Sequence, residues 1–475
     1  MANQLLAFCA AEPDPLSHSL SRFNFSKDIN FLNSLYHKYC KLSERSVDIF
    51  FKKFFLNYML SCAYYLIEIN MIEESKLMTV ILILLLIFIA WLAIDFFFGR
   101  LKHLNSVSKR NYPLRHANWQ LFTDGQELYN HLFEDISNAK HHVHILFYIV
   151  KNDLISNDFL NLLKKKAEEG VKVRLLLDRV GSYRISRKEV RQLRESGVHF
   201  SFSNKPRFPF IFYTLNYRNH RKITVIDGNI GYFGGFNIGK EYLGHDPYLG
   251  YWQDFHLKIH GDGVQDLQSE FMSDWGKATN EHLHGESVYF PKLEQGPLSL
   301  RFLPTDGAFI KDLLIDLIKN SKSEILIGTP YFIPGYEMLQ VILAARKRGV
   351  NVKILVPYKA DHPFVKEAAF PYFKVMLKAG CQIYRYTNGF YHGKIILIDN
   401  ELCDFGTANF DKRSFFINDE LNCFIRDPAF IEKIRSEFLI DVLHRSEKLT
   451  TKKYEKRPFL QRGKEFFSSL ISDLL

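Results

Sequence analysis

The chain has 475 residues, 47% of them apolar, and a formal charge of +10. That length holds two domains with cores of their own, and the positive balance points to an anionic partner, either a membrane surface or nucleic acid. Six cysteines, Cys9, Cys40, Cys62, Cys381, Cys403 and Cys423, are scattered with no CxxC pair, which excludes a zinc spacing or a disulfide framework and suits a reducing compartment.

Residues 1–70 are Ser-, Phe- and Tyr-rich with weak periodicity, and Met71 or Met78 could equally begin the protein. We expect residues 1–76 to be an extension from an overextended start; N-terminal sequencing that finds residues before Met71 would refute this. Phe54–Ile67, with Lys52-Lys53 before it and Glu68 after, is a weak second span. Leu77–Ile94 is eighteen residues without a charge, followed by Asp95 and Phe96–Phe98. It reads as a transmembrane helix over 77–98, and the absence of a small-residue cleavage site after it makes it an anchor. Arg100, Lys102, Lys109, Arg110 and Arg115 follow it and Glu73-Glu74 precede it, so the positive-inside tendency places the rest in the cytoplasm, on the plasma membrane. Residues 99–117 read as a basic juxtamembrane linker able to touch anionic lipid.

From Asn118 helices and strands alternate. Helical Glu127–Ala139 leads to strand His142–Ile149, helical Phe159–Glu169 to strand Val171–Leu177, and helical Arg187–Glu195 to strand Val198–Ser203. The order returns as Ile310–Asn320 and Glu324–Gly328, Met338–Arg348 and Val350–Val356, Val365–Lys378 and Cys381–Tyr386. GVKVRLLLD at Gly170 answers GVNVKILVP at Gly349. This duplication predicts an α/β fold of two repeats, 118–290 and 300–475, each a sheet covered on both faces, with the break in His284–Ser299.

The pattern repeats once more at finer grain. NHRKITVIDGNIGYFGGFN, from Asn219, is answered by YHGKIILIDNELCDFGTAN, from Tyr391. His220, Lys222 and Asp227 match His392, Lys394 and Asp399; after six further residues come Gly234-Gly235 and Gly406-Thr407, with Asn237 and Asn409 closing each copy. Both read as strands, with His and Lys on one face and the Asp, on the other face, in a framework role at a two-residue hairpin turn, Asp227-Gly228 or Asp399-Asn400. The returning glycines would let backbone N–H groups approach an anion. Two imidazoles and two ammoniums on one phosphate make a nucleophile, a general acid and charge clamps without metal.

The duplicated motif resembles the phospholipase D superfamily and, within it, the bacterial cardiolipin synthases; the likeness runs from about Asp95 to the C-terminus and includes Asp361–Phe370. The resemblance implies two α-β-α sandwich domains with the active site at their interface, and a catalytic set of His220, Lys222, Asp227, His392, Lys394 and Asp399. It further implies transfer between two phosphatidylglycerols through a phosphohistidine on His220, with phosphatidylglycerol and membrane lipid as partners, no nucleic acid, no cofactor and no metal. It sets no oligomeric state. In the family an acid follows each motif by about thirty residues; Asp254 and Glu420 match by position and would orient the two histidines. Asn237 and Asn409 would donate to phosphate oxygens or cap turns. A hydrolase using water as acceptor shares these motifs, as does a nucleic-acid phosphodiesterase; a non-catalytic scaffold would not need both His–Lys pairs.

Three features fall outside the repeat. Pro206–Leu215 has no counterpart in the second half and reads either as a buried strand or as an aromatic lip for lipid, flanked by Lys205, Arg207 and Arg218. Asp178, Asp361 and His362 sit at strand ends, where substrate loops collect. Phe466, Phe467, Leu470, Ile471, Leu474 and Leu475 form an apolar helical stripe, expected to pack on the domain.

Overall fold

A computed structural model of the protein describes residues 74–283, 287–470 and 472. Residues 1–73 of the extension, with the weak span at 54–67, lie outside these residues, as do Cys9, Cys40 and Cys62, while Cys381, Cys403 and Cys423 are buried free thiols. The chain divides into two compact units, 1–89 and 90–475. The described part of the first, residues 74–89, is helical.

Glu74–Ser106 is one helix, and among the described residues Leu77–Ser106 is the one stretch long and apolar enough to cross a membrane. The sequence reading ended this helix near Phe98 and placed a basic linker after it. The helix runs on because the one breaker in this stretch, Gly99, serves as a contact, its missing Cβ leaving room for Tyr213. Two of its cations are held by the domain: Arg110 bridges Glu270 and Asp306, both at 2.9 Å, and Arg115 pairs with Asp266 at 2.7 Å, while Lys102 and Lys109 are exposed.

The second unit is organised by a single fifteen-stranded sheet. Across its first half run His199–Ser203, Lys172–Asp178, His142–Phe147, Ile223–Ile226, Ile230–Gly234, His256–Gly261 and Arg115–Phe122. Across its second run Leu298–Asp306, Asp419–Ile425, Leu402–Gly406, Ile395–Ile398, Glu324–Gly328, Asn351–Pro357, Gln382–Tyr386 and Ser446–Lys448. The repeats expected from sequence are there, but they are fused: Arg115–Ala117 pairs antiparallel with Leu298–Leu300, joining two sheets into one.

Alternation along the strands explains how both faces are covered. Val143, Ile145 and Phe147 face helices of the first half, and Ile325 and Ile327 face those of the second. Leu146 and Leu326, pointing the other way, enter a core shared by both halves under helices Val264–Thr279 and Pro428–His444. Phe233 meets Phe302 at 4.8 Å and Phe405 at 5.5 Å in this core, so the halves are bound by burial of apolar area as well as by the short strand seam.

At the C-terminus, Phe466 and Phe467 are exposed, with Phe467 5.7 Å from Phe364. The side chains of Leu470, Ile471, Leu474 and Leu475 lie outside the described residues.

Candidate active site

The motif aspartates fix the turns. Asp227 and Gly228 both have positive φ, as do Asp399 and Asn400, and pairing resumes at Ile230 and Leu402. The Asp227 carboxylate accepts backbone N–H groups of Lys140, His141 and His142 at 2.7–2.9 Å. Asp399 does the same for Lys322, Ser323 and Glu324 at 2.7–3.0 Å. Both therefore tie each motif hairpin to its neighbouring strand, and neither hydrogen-bonds a motif His or Lys. Their place in the catalytic set is structural.

The sequence reading put each His–Lys pair within a strand. Instead the strands begin at Ile223 and Ile395, and the residues before them leave their own sheet to bridge the halves. His220 N–H donates to Asp419 O and Asp419 N–H to Arg218 O, both at 2.9 Å. His392 N–H donates to Gln253 O at 2.7 Å, where Phe390–Tyr391 runs parallel to Trp252–Gln253.

This bridging crosses the acids. His220 Nδ1 lies 2.9 and 3.1 Å from the two Glu420 oxygens, and His392 Nδ1 lies 2.5 Å from Asp254 Oδ2. The acid that follows each motif in sequence serves the histidine of the other. Thr407 Oγ1 donates to Glu420 at 2.5 Å and Ser414 Oγ at 2.9 Å, fixing that carboxylate. Gly235 has a different use: a Cβ there would stand 2.0 Å from Asp254 Oδ1. The small-residue loops thus make room for acids. They do not aim N–H groups at an anion as the sequence reading held, because Gly235 N–H donates to Phe255 O at 2.8 Å and Thr407 N–H to Leu421 O at 3.0 Å. Gly234 and Gly406 are strand ends, where a Cβ would clash at 2.6 Å with His256 Cα and at 2.4 Å with Leu421 O.

The remaining groups close around the histidines. Lys222 Nζ donates to His220 O at 2.6 Å; Lys394 Nζ donates to His392 O and lies 3.7 Å from Asp254. Tyr148 stands edge-on to His220 at 5.0 Å and Trp252 lies 4.7 Å from His392. Burial pushes His220 and His392 down to about 4, and Lys222 to about 7 and Lys394 to about 8. The charge of Lys394 acts on both His220 and Lys222, so the two copies share one electrostatic site. Burial alone would raise Glu420 and Asp254, but His220 beside the first and Lys394 with His392 beside the second outweigh it, leaving both carboxyls below their usual range. Ionised acids then hold neutral imidazoles by Nδ1–H. Among the described residues His220 Nε2 carries no hydrogen bond, whereas His392 Nε2 has Lys394 Nζ at 3.1 Å.

Asn237 and Asn409 differ. Asn237 Oδ1 accepts from Ile149 N–H at 3.1 Å and Nδ2 reaches Tyr242 Oη at 3.3 Å, a framework role. Asn409 has a buried Oδ1 without a partner and lines a small pocket with Lys394. Asp178 supports the site from behind, pairing with Arg218 at 3.0 Å and accepting Asn219 N–H at 2.9 Å. Arg218 is thereby buried and is no part of a lipid-facing lip. Asp361 accepts the Tyr331 hydroxyl, and His362 is exposed.

Arg221, between the motif His and Lys, was not singled out by sequence reasoning. It is fully buried, paired with Asp274 at 2.7 Å, Asp306 at 2.5 Å and Glu270 at 3.3 Å, and donates to Glu420 O at 3.0 Å. The second motif carries Gly393 there, where a Cβ would stand 2.7 Å from Phe255 and Tyr391.

Residues 132–275 and 314–442 both match the family described as cardiolipin synthase, PLD-like domain. The chain belongs to this family. Minor cardiolipin synthase ClsB of Bacillus subtilis is 43% identical over 84% of this chain and 100% of its own length. A cardiolipin synthase of Staphylococcus aureus is 42% identical over 75% of this chain and 73% of its own. Among solved structures, phosphatidylserine synthase of Haemophilus influenzae aligns with a TM-score of 0.59 and 16% identity over 79% of this chain and 99% of that one, a likeness of fold. For a cardiolipin synthase family member the geometry is chemically sufficient for group transfer at phosphorus: one free imidazole nitrogen, a second imidazole on an acid, and two ammoniums in a water-poor site.

Proposed function

We propose that the protein is a membrane-anchored phosphatidyltransferase that converts two phosphatidylglycerols into cardiolipin and glycerol. The observation that carries this reading is the pair of crossed His–acid contacts in one buried site. His220 Nε2 attacks phosphorus and the P–O bond to the glycerol head group breaks, the leaving oxygen taking a proton from His392. His392 then accepts the proton of a hydroxyl on the second phosphatidylglycerol, whose oxygen attacks phosphorus as the P–N bond breaks. One phosphodiester replaces another, so no energy source is needed. The unbonded Nε2 of His220 supports its assignment as nucleophile.

Lys222 and Lys394 hold the phosphate oxygens when protonated. An entering phosphodiester anion raises the pKa of the neighbouring lysines and of His392, so substrate itself charges the site. Leu77–Ile94 anchors the chain, and the basic residues after it support a catalytic unit on the cytoplasmic face of the plasma membrane. A membrane-impermeant thiol reagent should label Tyr336→Cys in inside-out vesicles; labelling in intact cells would reverse that orientation.

The deciding experiment incubates the detergent-purified protein with labelled phosphatidylglycerol and chelator beside His220→Ala and His392→Ala. Cardiolipin and glycerol from the wild type alone support the reading. Phosphatidic acid would make the protein a hydrolase, and no product would remove the activity. A His220→Gln protein that still traps covalent lipid would move the nucleophile to His392.

A further inference from the structure

The segment that only the first half carries is neither the buried strand nor a free lip. Ile211–Asn216 forms a short helix in which Tyr213 alone is buried, and this helix packs on the chain that immediately follows the apolar run. Asp95 comes next after Ile94 and is only 4% exposed. Its Oδ1 accepts Tyr213 N–H at 2.7 Å, and the N–H groups of Phe212 and Ile211 also turn to it. These are donors that a helix start leaves without partners, and Phe210, the residue leading into the helix, offers no side-chain cap. An acid at the end of the apolar run therefore caps a helix more than a hundred residues away.

The contact continues for two turns. A Cβ on Gly99 would stand 2.5 Å from Tyr213 Cβ and 2.9 Å from Phe210 Cβ, so only glycine permits this approach. Phe96 meets Tyr213 at 5.4 Å, and His103 meets Tyr217 at 4.3 Å. A helix of six residues has no stability alone; its docking on residues 95–103 makes it.

The position of that dock matters. At about 1.5 Å per helical residue, Asp95–His103 spans roughly the first 12 Å beyond the apolar run, which takes in the lipid headgroup layer of about 5–8 Å. The docked segment exposes Phe208, 82% accessible, and Leu215, 48%, with Lys205 and Arg207 exposed beside them. Aromatic and aliphatic side chains among cations, next to a membrane anchor, are the chemistry of an interfacial segment on anionic lipid.

We propose that Lys205–Leu215 is an interfacial wedge: Phe208 and Leu215 enter the headgroup layer of the bilayer that carries the anchor, Lys205 and Arg207 meet its phosphates, and Asp95 fixes the depth. The wedge runs straight into the catalytic segment. Tyr217 Oη donates to Asp419 Oδ1 at 2.7 Å, Arg413 of the second half holds Asn216 O at 2.8 Å, and Arg218 opens the stretch that carries His220. The depth of the wedge thus sets the height of His220 above the lipid phosphates. This rests on the lipid-substrate reading only for its consequence; the insertion itself is independent of turnover.

The test uses the full-length protein with Phe208→Cys, labelled with a polarity-sensitive fluorophore and reconstituted in phosphatidylglycerol vesicles with or without nitroxide-bearing lipid. Unsubstituted protein labelled in parallel gives the background. Glu169→Cys, at the opposite end of the strand that leads to Asp178, is the reference. The wedge requires a blue shift and nitroxide quenching at 208 but not at 169, and weaker quenching at 208 in an Asp95→Ala background. No quenching at 208, equal quenching at both sites, or indifference to Asp95→Ala overturns it. Phe208→Ser should also lower turnover of vesicle phosphatidylglycerol about tenfold while leaving a short-chain monomeric substrate unaffected; loss on both or on neither overturns it as well. Quenching at 208 without any turnover by the wild type would refute the proposed activity and uphold the wedge.

Discussion

Glu420→Gln removes the charge beside His220 and keeps the shape of the side chain. Unit charges 2.9 Å apart attract by about 6 kcal/mol at an effective dielectric of about 20. The His220 ring is neutral at rest and becomes cationic only as it bonds phosphorus, so this is a ceiling. Partial charge development and the hydrogen bond that Gln retains leave about half, roughly 3 kcal/mol, or about a hundredfold in the rate of adduct formation. Rapid mixing with phosphate-labelled phosphatidylglycerol and quenching in base, where a phosphoimidazole survives, measures that step. Asp254→Asn should slow it too, but through the leaving group. A donor whose leaving group is a stable phenolate separates the two. It should rescue Asp254→Asn, since no proton is needed on departure, and leave Glu420→Gln slow. Rescue of Glu420→Gln alone would refute the crossed assignment, and equal rescue would refute the division of labour.

Three further outcomes follow from the same geometry. The protonated lysines hold the phosphate, and Lys222 and Lys394 lose their protons as pH rises through about 7 and about 8; kcat/KM should therefore fall above neutrality, and fall again in acid as His220 gains a proton near 4. Lys222→Arg, always charged, should move the alkaline limb upward; an unmoved limb would refute the role of Lys222. Arg221→Met takes the fully buried cation from Asp274, Asp306 and Glu270, leaving only the more exposed Arg110 and Lys277 beside them; the loss is about 3 kcal/mol, and an unchanged thermal midpoint would contradict it. Gly235→Ala drives a Cβ into Asp254 and should reproduce the activity loss of Asp254→Asn in a folded protein. Gly170→Ala, at φ +91° in open space, should cost about 1 kcal/mol of stability and no activity; a Gly235→Ala enzyme as active as Gly170→Ala would disprove the steric argument.

Much of this was legible in the sequence because each half obeys local rules. Strands such as Lys172–Asp178 and Asn351–Pro357 sit where a short apolar run follows a helix closed by Gly170 or Gly349, and the motif turns carry the Asp-Gly and Asp-Asn pairs that positive φ demands. What sequence does not carry is partnership across the fold. Asp254 follows His220 and Glu420 follows His392 along the chain, which invites pairing within each half, while the backbone bridges at His220–Asp419 and His392–Gln253 impose the opposite. Arg221 gives no signal because its worth depends on three acids that arrive from elsewhere. The Phe208–Tyr213 run has the composition of a strand, yet it is helical where Asp95 caps it, a tertiary override of local preference.

The crossed acids bear on how such a chain can change over time. Neither repeat holds a complete His–acid pair, so a repeat cut loose, or exchanged for that of a relative, brings an acid for its neighbour's histidine and none for its own. Selection then acts on pairs spanning the duplication, Glu420 with His220 and Asp254 with His392. Arg221 and Gly393 answer to both halves as well, Arg221 through Asp274 and Glu270 of the first and Asp306 and Glu420 of the second, and Gly393 through Phe255 of the first.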